Sequence, residues 1–128
     1  KAHNIYGMQM ARATYEGMRR FTFPKRPFVI TRAAYSGAQR YTSSWTGDNV
    51  ATWEHLWIAN IQVQRMCMSG MSFTGSDIGG FAEQPSGELF ARWIQLGVFH
   101  PFCRVHSSGD HGDQEPQHPL VLHVAAGK

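Results

Sequence analysis

The apolar positions of this chain recur at two different periods. From Met8 to Arg20 they fall at three- and four-residue spacing (Met8, Ala11, Tyr15, Met18). That spacing predicts a helix, with Asn4 as a cap just upstream. Two prolines then break the segment Phe21 to Pro27. Phe28 to Thr31 is a short continuous apolar run, the pattern of a strand buried on both faces. Ala33 to Gly47 is polar and carries Gly and Ser, so it reads as a long loop of the functional kind. Asn49 opens a second helical pattern that runs to about Met68, with Trp53, Leu56, Trp57, Ile61 and Met68 on one side and Gly70 as the stop. Met71 to Thr74 reads as another buried strand, and Ser76 to Pro85 as a Gly-rich loop. Ser86 caps a third helix bearing Leu89, Phe90, Trp93, Ile94 and Val98, with Glu88 in its first turn. Val98 to Val105 holds a third strand, interrupted by Pro101. Beyond Ser107 the sequence turns polar.

Helix, strand, helix, strand, helix, strand is the order of an α/β fold with parallel strands and helical crossovers. Ligands of such folds bind at the C-terminal edge of the strands. Arg32, Asp77, Arg104 and His106 all fall at strand ends on this reading. Each also has an ordinary explanation: an ion pair for Arg32, a turn cap for Asp77, a surface position for His106. Asp48 sits in Trp45-Thr46-Gly47-Asp48-Asn49 at a helix start. One N-cap suffices there, so either Asp48 or Asn49 needs a second explanation. Trp45 offers an apolar wall beside Asp48, the setting that keeps a carboxyl protonated for general acid work.

Composition narrows the alternatives. The 128 residues are 42% hydrophobic and 16% charged, globular and poor in charge. A low charge fraction with many Trp, Phe and Met points to surface buried against something outside this chain. The formal charge is +3. Arg19-Arg20 and Lys25-Arg26 are the only basic clusters, and a solvated helix end explains them better than a nucleic-acid patch. No apolar run approaches a membrane span. Cys67 and Cys103 form no CxxC pair, and the seven histidines form no HExxH. His111-Gly112-Asp113 reads as a polar loop rather than a cation site. No serine sits in a G-x-S-x-G elbow. No metal or cofactor is expected, and the sequence assigns no compartment.

Four stretches together carry a resemblance. They are Arg26-Pro27-Phe28-Val29-Ile30-Thr31-Arg32, Trp45 to Asn49, Gly75-Ser76-Asp77-Ile78-Gly79-Gly80-Phe81, and Arg92 to His106. In order and spacing this set resembles glycoside hydrolase family 31, the family of α-glucosidases and α-xylosidases. The resemblance implies a (β/α)8 barrel and a retaining double-displacement mechanism acting on oligosaccharides or α-glucosides. It makes Asp48 the general acid/base. Arg32 then contacts the sugar and the carboxylates, and Trp45 walls the −1 subsite. Asp77 and His106 bind sugar hydroxyls, Phe81 is a second aromatic wall, and Arg104 is a supporting arginine. The nucleophilic aspartate of the family lies in an Asp-x-x-Glu motif on an earlier strand, and Glu16 stands mid-helix in the wrong context. Residues 1–116 are therefore expected to be a central piece of the barrel, about three β/α units, with 117–128 a divergent tail. The missing initiator Met fits a cut N-terminus. Two alternatives stand beside this: a non-catalytic carbohydrate-binding or self-associating half-barrel, and an inverting pair made of Asp48 and Asp77, whose carboxyl groups would lie roughly 6.5–9.5 Å apart. The expected partner is a second copy or the remainder of the barrel.

Overall fold

The computed structural model describes residues 2–109. Helix α1, His3–Thr22, starts after Ala2 without a side-chain cap, so Asn4 lies inside it. Arg19 and Arg20 occupy its last turn, where cations complement the exposed carbonyls. The expected strand at Phe28–Thr31 is reduced to a parallel bridge between Ile30 and Ser43. Ser43 N–H donates to Val29 O at 2.9 Å and Thr31 N–H to Ser43 O at 3.0 Å. It is not buried on both faces, because Phe28 is exposed.

The loop expected over Ala33 to Gly47 contains a 3-10 turn at Ala38–Arg40 and strand β1, Ser44–Trp45. Apolar periodicity misses β1 because its burial is polar. Thr42, Ser43 and Ser44 are all buried, and their hydroxyls donate to the carbonyls of Val29 and Thr31. A buried hydroxyl that reaches an acceptor avoids most of the desolvation cost.

Helix α2, Trp53–Met68, begins later than the sequence suggests. Thr52 is its cap and accepts from His55 N–H at 3.2 Å. Gly70 does end it, at φ 86°. The buried side is Ala59 and Val63, with Leu56 partly covered, whereas Trp53, Trp57 and Met68 are exposed. Small side chains let the helix lie close to the strands, and the tryptophans turn outward.

Strand β2 is Thr74–Gly75 and β3 is Asp77–Ile78, separated by Ser76 alone. Every residue from Thr74 to Gly80 is buried. Gly75 is required by space, since a Cβ there would stand 1.8 Å from Phe102 O. Helix α3, Gly87–Gly97, is capped by Ser86 as expected, although Val98 lies beyond it and is exposed. The third expected strand shrinks to β4, Arg104–Val105, because Phe99 and His100 continue the turn that closes α3.

Ile30 pairs with Ser43, β1 with β2, and β3 with β4, all parallel. The pairings form two short parallel sheets, β1 with β2 and β3 with β4, and Ser76 alone links β2 to β3 along the chain, in keeping with the winding of an α/β fold. Helix α2 packs on β2 and α3 on β3. The core between them is Ala59, Ile78, Leu89, Phe90 and Trp93. Trp93 donates its indole N–H to Ser76 Oγ at 2.9 Å, so the core also fixes the strand that carries Asp77. The polar stretch after Gly109, including His111, Asp113 and the expected tail 117–128, lies outside the described residues. Among the described residues no helix is long and apolar enough to cross a membrane.

Candidate active site

Two ion pairs meet at the Trp45 ring. Gly47 adopts φ 88° with open space around it, a left-handed conformation that glycine takes without strain. The bend brings Asp48 back toward the segment that carries Arg32. Arg32 Nη2 donates to both carboxylate oxygens of Asp48 at 2.7 Å. The pair is open to solvent, with side chains 66% and 37% exposed. Neither Asp48 nor Asn49 caps α2. Asn49 is buried, its side-chain oxygen accepts from Thr46 Oγ1, and its carbonyl accepts from the N–H groups of Phe81 and Ala82 at 2.7 and 3.1 Å. The two motif loops are thereby clipped together. His55 Nδ1 accepts from Val50 N–H at 3.0 Å and holds the start of α2 to the same loop.

Asp77 is fully buried. Arg104 donates to its Oδ1 through Nη2 at 2.6 Å and Nε at 3.1 Å. Its Oδ2 is buried without a partner. Burial pushes the Asp77 carboxyl above its ordinary pKa. Arg104 pulls it back by hydrogen bond and charge, His106 does so by charge, and the nearby Asp48 carboxylate adds to the rise. Asp77 lies inside β3 and Arg104 opens β4, so neither follows its strand as the sequence suggested.

The Trp45 ring meets two guanidinium groups. The guanidinium carbons of Arg32 and Arg104 each stand 5.5 Å from its centroid, and its indole N–H is buried without a partner. The ring expected as an apolar wall thus also meets two cations. Phe81 and His106 meet ring to ring at 5.3 Å, and Ser108 N–H donates to Phe81 O at 2.9 Å. This second aromatic pair lies where the motif loop meets the chain after β4. Among the described residues no three His, Cys, Asp or Glu side chains gather as a metal site.

The structure thus joins Arg32, Trp45 and Asp48 in one contact set and Asp77, Arg104 and Trp45 in another, with Phe81 and His106 as a third. Sequence reasoning missed the structural parts played by Thr46, Asn49, His55 and Ser76. The Thr46–Asn49 spacing was visible, but its use as a loop clip depends on a partner strand far along the chain.

A sequence profile described as "Glycosyl hydrolases family 31 TIM-barrel domain" matches residues 1–121. The chain belongs to glycoside hydrolase family 31. Alpha-glucosidase 2 of Bacillus thermoamyloliquefaciens is 47% identical over 89% of this chain and 14% of its own length. Neutral alpha-glucosidase AB of Homo sapiens is 42% identical over 98% of this chain, again 14% of its own length. Among solved structures, a glucosidase II alpha subunit bound to alpha3-Glc2 superposes with a TM-score of 0.82 at 39% identity, covering 93% of this chain and 13% of that one. A family 31 alpha-glucosidase from Bacteroides thetaiotaomicron gives 0.81 at 41%, over 89% and 19%. The chain spans about one-seventh of the length of the curated relatives it matches, 14% in both cases above. The parallel strands and their helices are those of a family 31 barrel domain.

Proposed function

We propose that the family 31 protein containing this segment hydrolyses α-glucosidic bonds with retention, and that Asp48 is its acid/base. The observation that carries the reading is the solvent-open Asp48 carboxylate held at 2.7 Å by Arg32. It is seated next to a second, buried acid. The α-glucosidase names of the relatives support the substrate class. In the first half-reaction protonated Asp48 gives its proton to the glycosidic oxygen. In the second its carboxylate takes a proton from the attacking water. Arg32 is placed to hold the anionic form between the two. Trp45 and Phe81 offer apolar faces to the sugar ring and the exposed His106 offers an acceptor to its hydroxyls, whereas Asp77, closed off in this conformation, reaches a hydroxyl only if the site opens. Arg104 keeps Asp77 in place.

Asp77 is sealed and clamped, which disfavours it as a base acting on free water and so disfavours the inverting pair. The nucleophile comes from the rest of the barrel, on the strand that carries the Asp-x-x-Glu motif. The described residues are read as about three β/α units of that barrel; the family match continues to residue 121, into the stretch expected from residue 117 to be a divergent tail.

The test is a chimera in which residues 1–116 replace the matching segment of the Bacteroides thetaiotaomicron enzyme. Turnover of an α-glucoside by the chimera is expected, with little or none from the isolated 128-residue chain. Burst kinetics from the isolated chain would contradict the division of labour. The second reading, a self-associating or carbohydrate-binding half-barrel, has one observation in its favour. Phe28, Phe73 and Phe102 cluster with centroids 6.0–6.2 Å apart, and Phe28 and Phe73 are about half exposed. Sedimentation of the isolated chain as a monomer would remove self-association.

A further inference from the structure

Arg32, Trp45 and Arg104 come from three different strand segments and converge on one ring. Trp45 belongs to β1. The segment preceding Arg32 pairs with β1's side of the sheet through Ile30 and Ser43. Arg104 opens β4, beyond β2 and β3 on the other side. Thr46 N–H donates to Gly75 O at 3.0 Å, so the backbone next to the indole is fixed to the neighbouring strand. Both guanidinium carbons stand 5.5 Å from the ring centroid. Each arginine is meanwhile bonded to its own acid, Arg32 through Nη2 to both oxygens of Asp48 and Arg104 to Oδ1 of Asp77, and Arg104 also stands 5.1 Å from the Phe102 ring.

Two like charges converging on one ring repel unless something holds them. The carboxylates neutralise them, and the negative face of an indole attracts both. Arg32 most needs the help, because its side chain is largely exposed and an exposed ion pair alone orders a long side chain weakly. The indole N–H makes no hydrogen bond of its own. The ring is thus tied to its surroundings by the cations and its strand.

We propose that Trp45 is a positioning residue, a shared platform for Arg32 and Arg104 that sets the spacing of the Asp48 and Asp77 carboxylates. The inference rests on the reading of those two acids as the active site. It goes beyond that reading by giving Trp45 a task that does not depend on sugar.

The test uses the full chain, labelled with nitrogen-15 and free of ligand. It reads the Nε–Hε signals of Arg32 and Arg104 and their exchange with water. Trp45→Leu should speed exchange at both arginines by about three- to fivefold, whereas Trp45→Phe, which keeps an aromatic face, should change it by less than about twofold. Rates unchanged in folded Trp45→Leu, or moved at one arginine only, would overturn the shared platform. Arg32→Lys keeps the charge, alters an exposed side chain and removes the planar stack, so it tests the idea even if Trp45→Leu does not fold. The Arg104 signal and the Trp45 indole signal should both shift in it, and an unmoved Arg104 signal would also overturn the proposal. A separate glucose titration of the same samples reports on the functional reading. Failure to bind sugar leaves the platform result intact, and the reverse holds too.

Discussion

On the helix side of the strands, Trp93 and Ala59 are completely buried, and the indole N–H of Trp93 reaches Ser76. On the other side, Phe28 and Phe73 touch each other and Phe102 yet remain about half exposed. No described helix covers them. The same strands are finished on one face and open on the other. That asymmetry follows from a chain holding only part of a barrel. Helix-to-strand packing is local in sequence and complete, whereas interior packing needs strands from elsewhere. The ionic groups show the same division. Asp77 is buried with Arg104 only partly exposed, whereas both side chains of Asp48–Arg32 face solvent.

Substitutions can break this contrast, the harshest first. Trp93→Ala should cost about 3–5 kcal/mol in urea unfolding, since it empties a sealed site and orphans Ser76. Arg104→Leu should cost a similar amount, about 3–5 kcal/mol, because Asp77 is left buried and uncompensated. Phe73→Ala on the open face should cost only about 1 kcal/mol, because half its surface is already in water. A loss as large as that of Trp93 would mean that the face is covered. Asp48→Asn should change stability by no more than about 1 kcal/mol, as expected of an exposed pair.

Acid acts on two buried groups with opposite signs. His100 is buried with both ring nitrogens unpartnered, and burial lowers its pKa. The unfolded chain therefore binds the proton first. Stability from this group is intact above the ordinary imidazole value of about 6.5 and is lost as pH falls toward the lower folded value. Asp77 is raised, so its charge weighs against folding above the folded pKa, and acidification through that value relieves it. Urea midpoints at neutral and mildly acidic pH should fall less in His100→Phe than in the parent chain.

The sequence revealed the helices better than the strands. Ser86 as a cap and Gly70 as a stop are local chemistry, and both hold. Strand β1 was hidden because Ser43 and Ser44 are buried through hydroxyl bonds to a strand 13 or 14 residues away. The exposed side of α2 was misjudged because Trp53 and Trp57 look like core, while Ala59 is what lies against the strands. Trp45 stood out as a candidate but not for its contact with two cations, since Arg104 reaches it from a strand 59 positions on.

Leaving-group dependence tests the central claim most directly. In the chimera, Asp48→Ala should lower kcat/KM on an unactivated disaccharide by about 10²–10⁴-fold. The loss should be far smaller on a dinitrophenyl α-glucoside, whose leaving group needs no proton, and added azide should restore turnover of that substrate. Equal losses on both substrates, with no effect of azide, would contradict Asp48 as the acid/base.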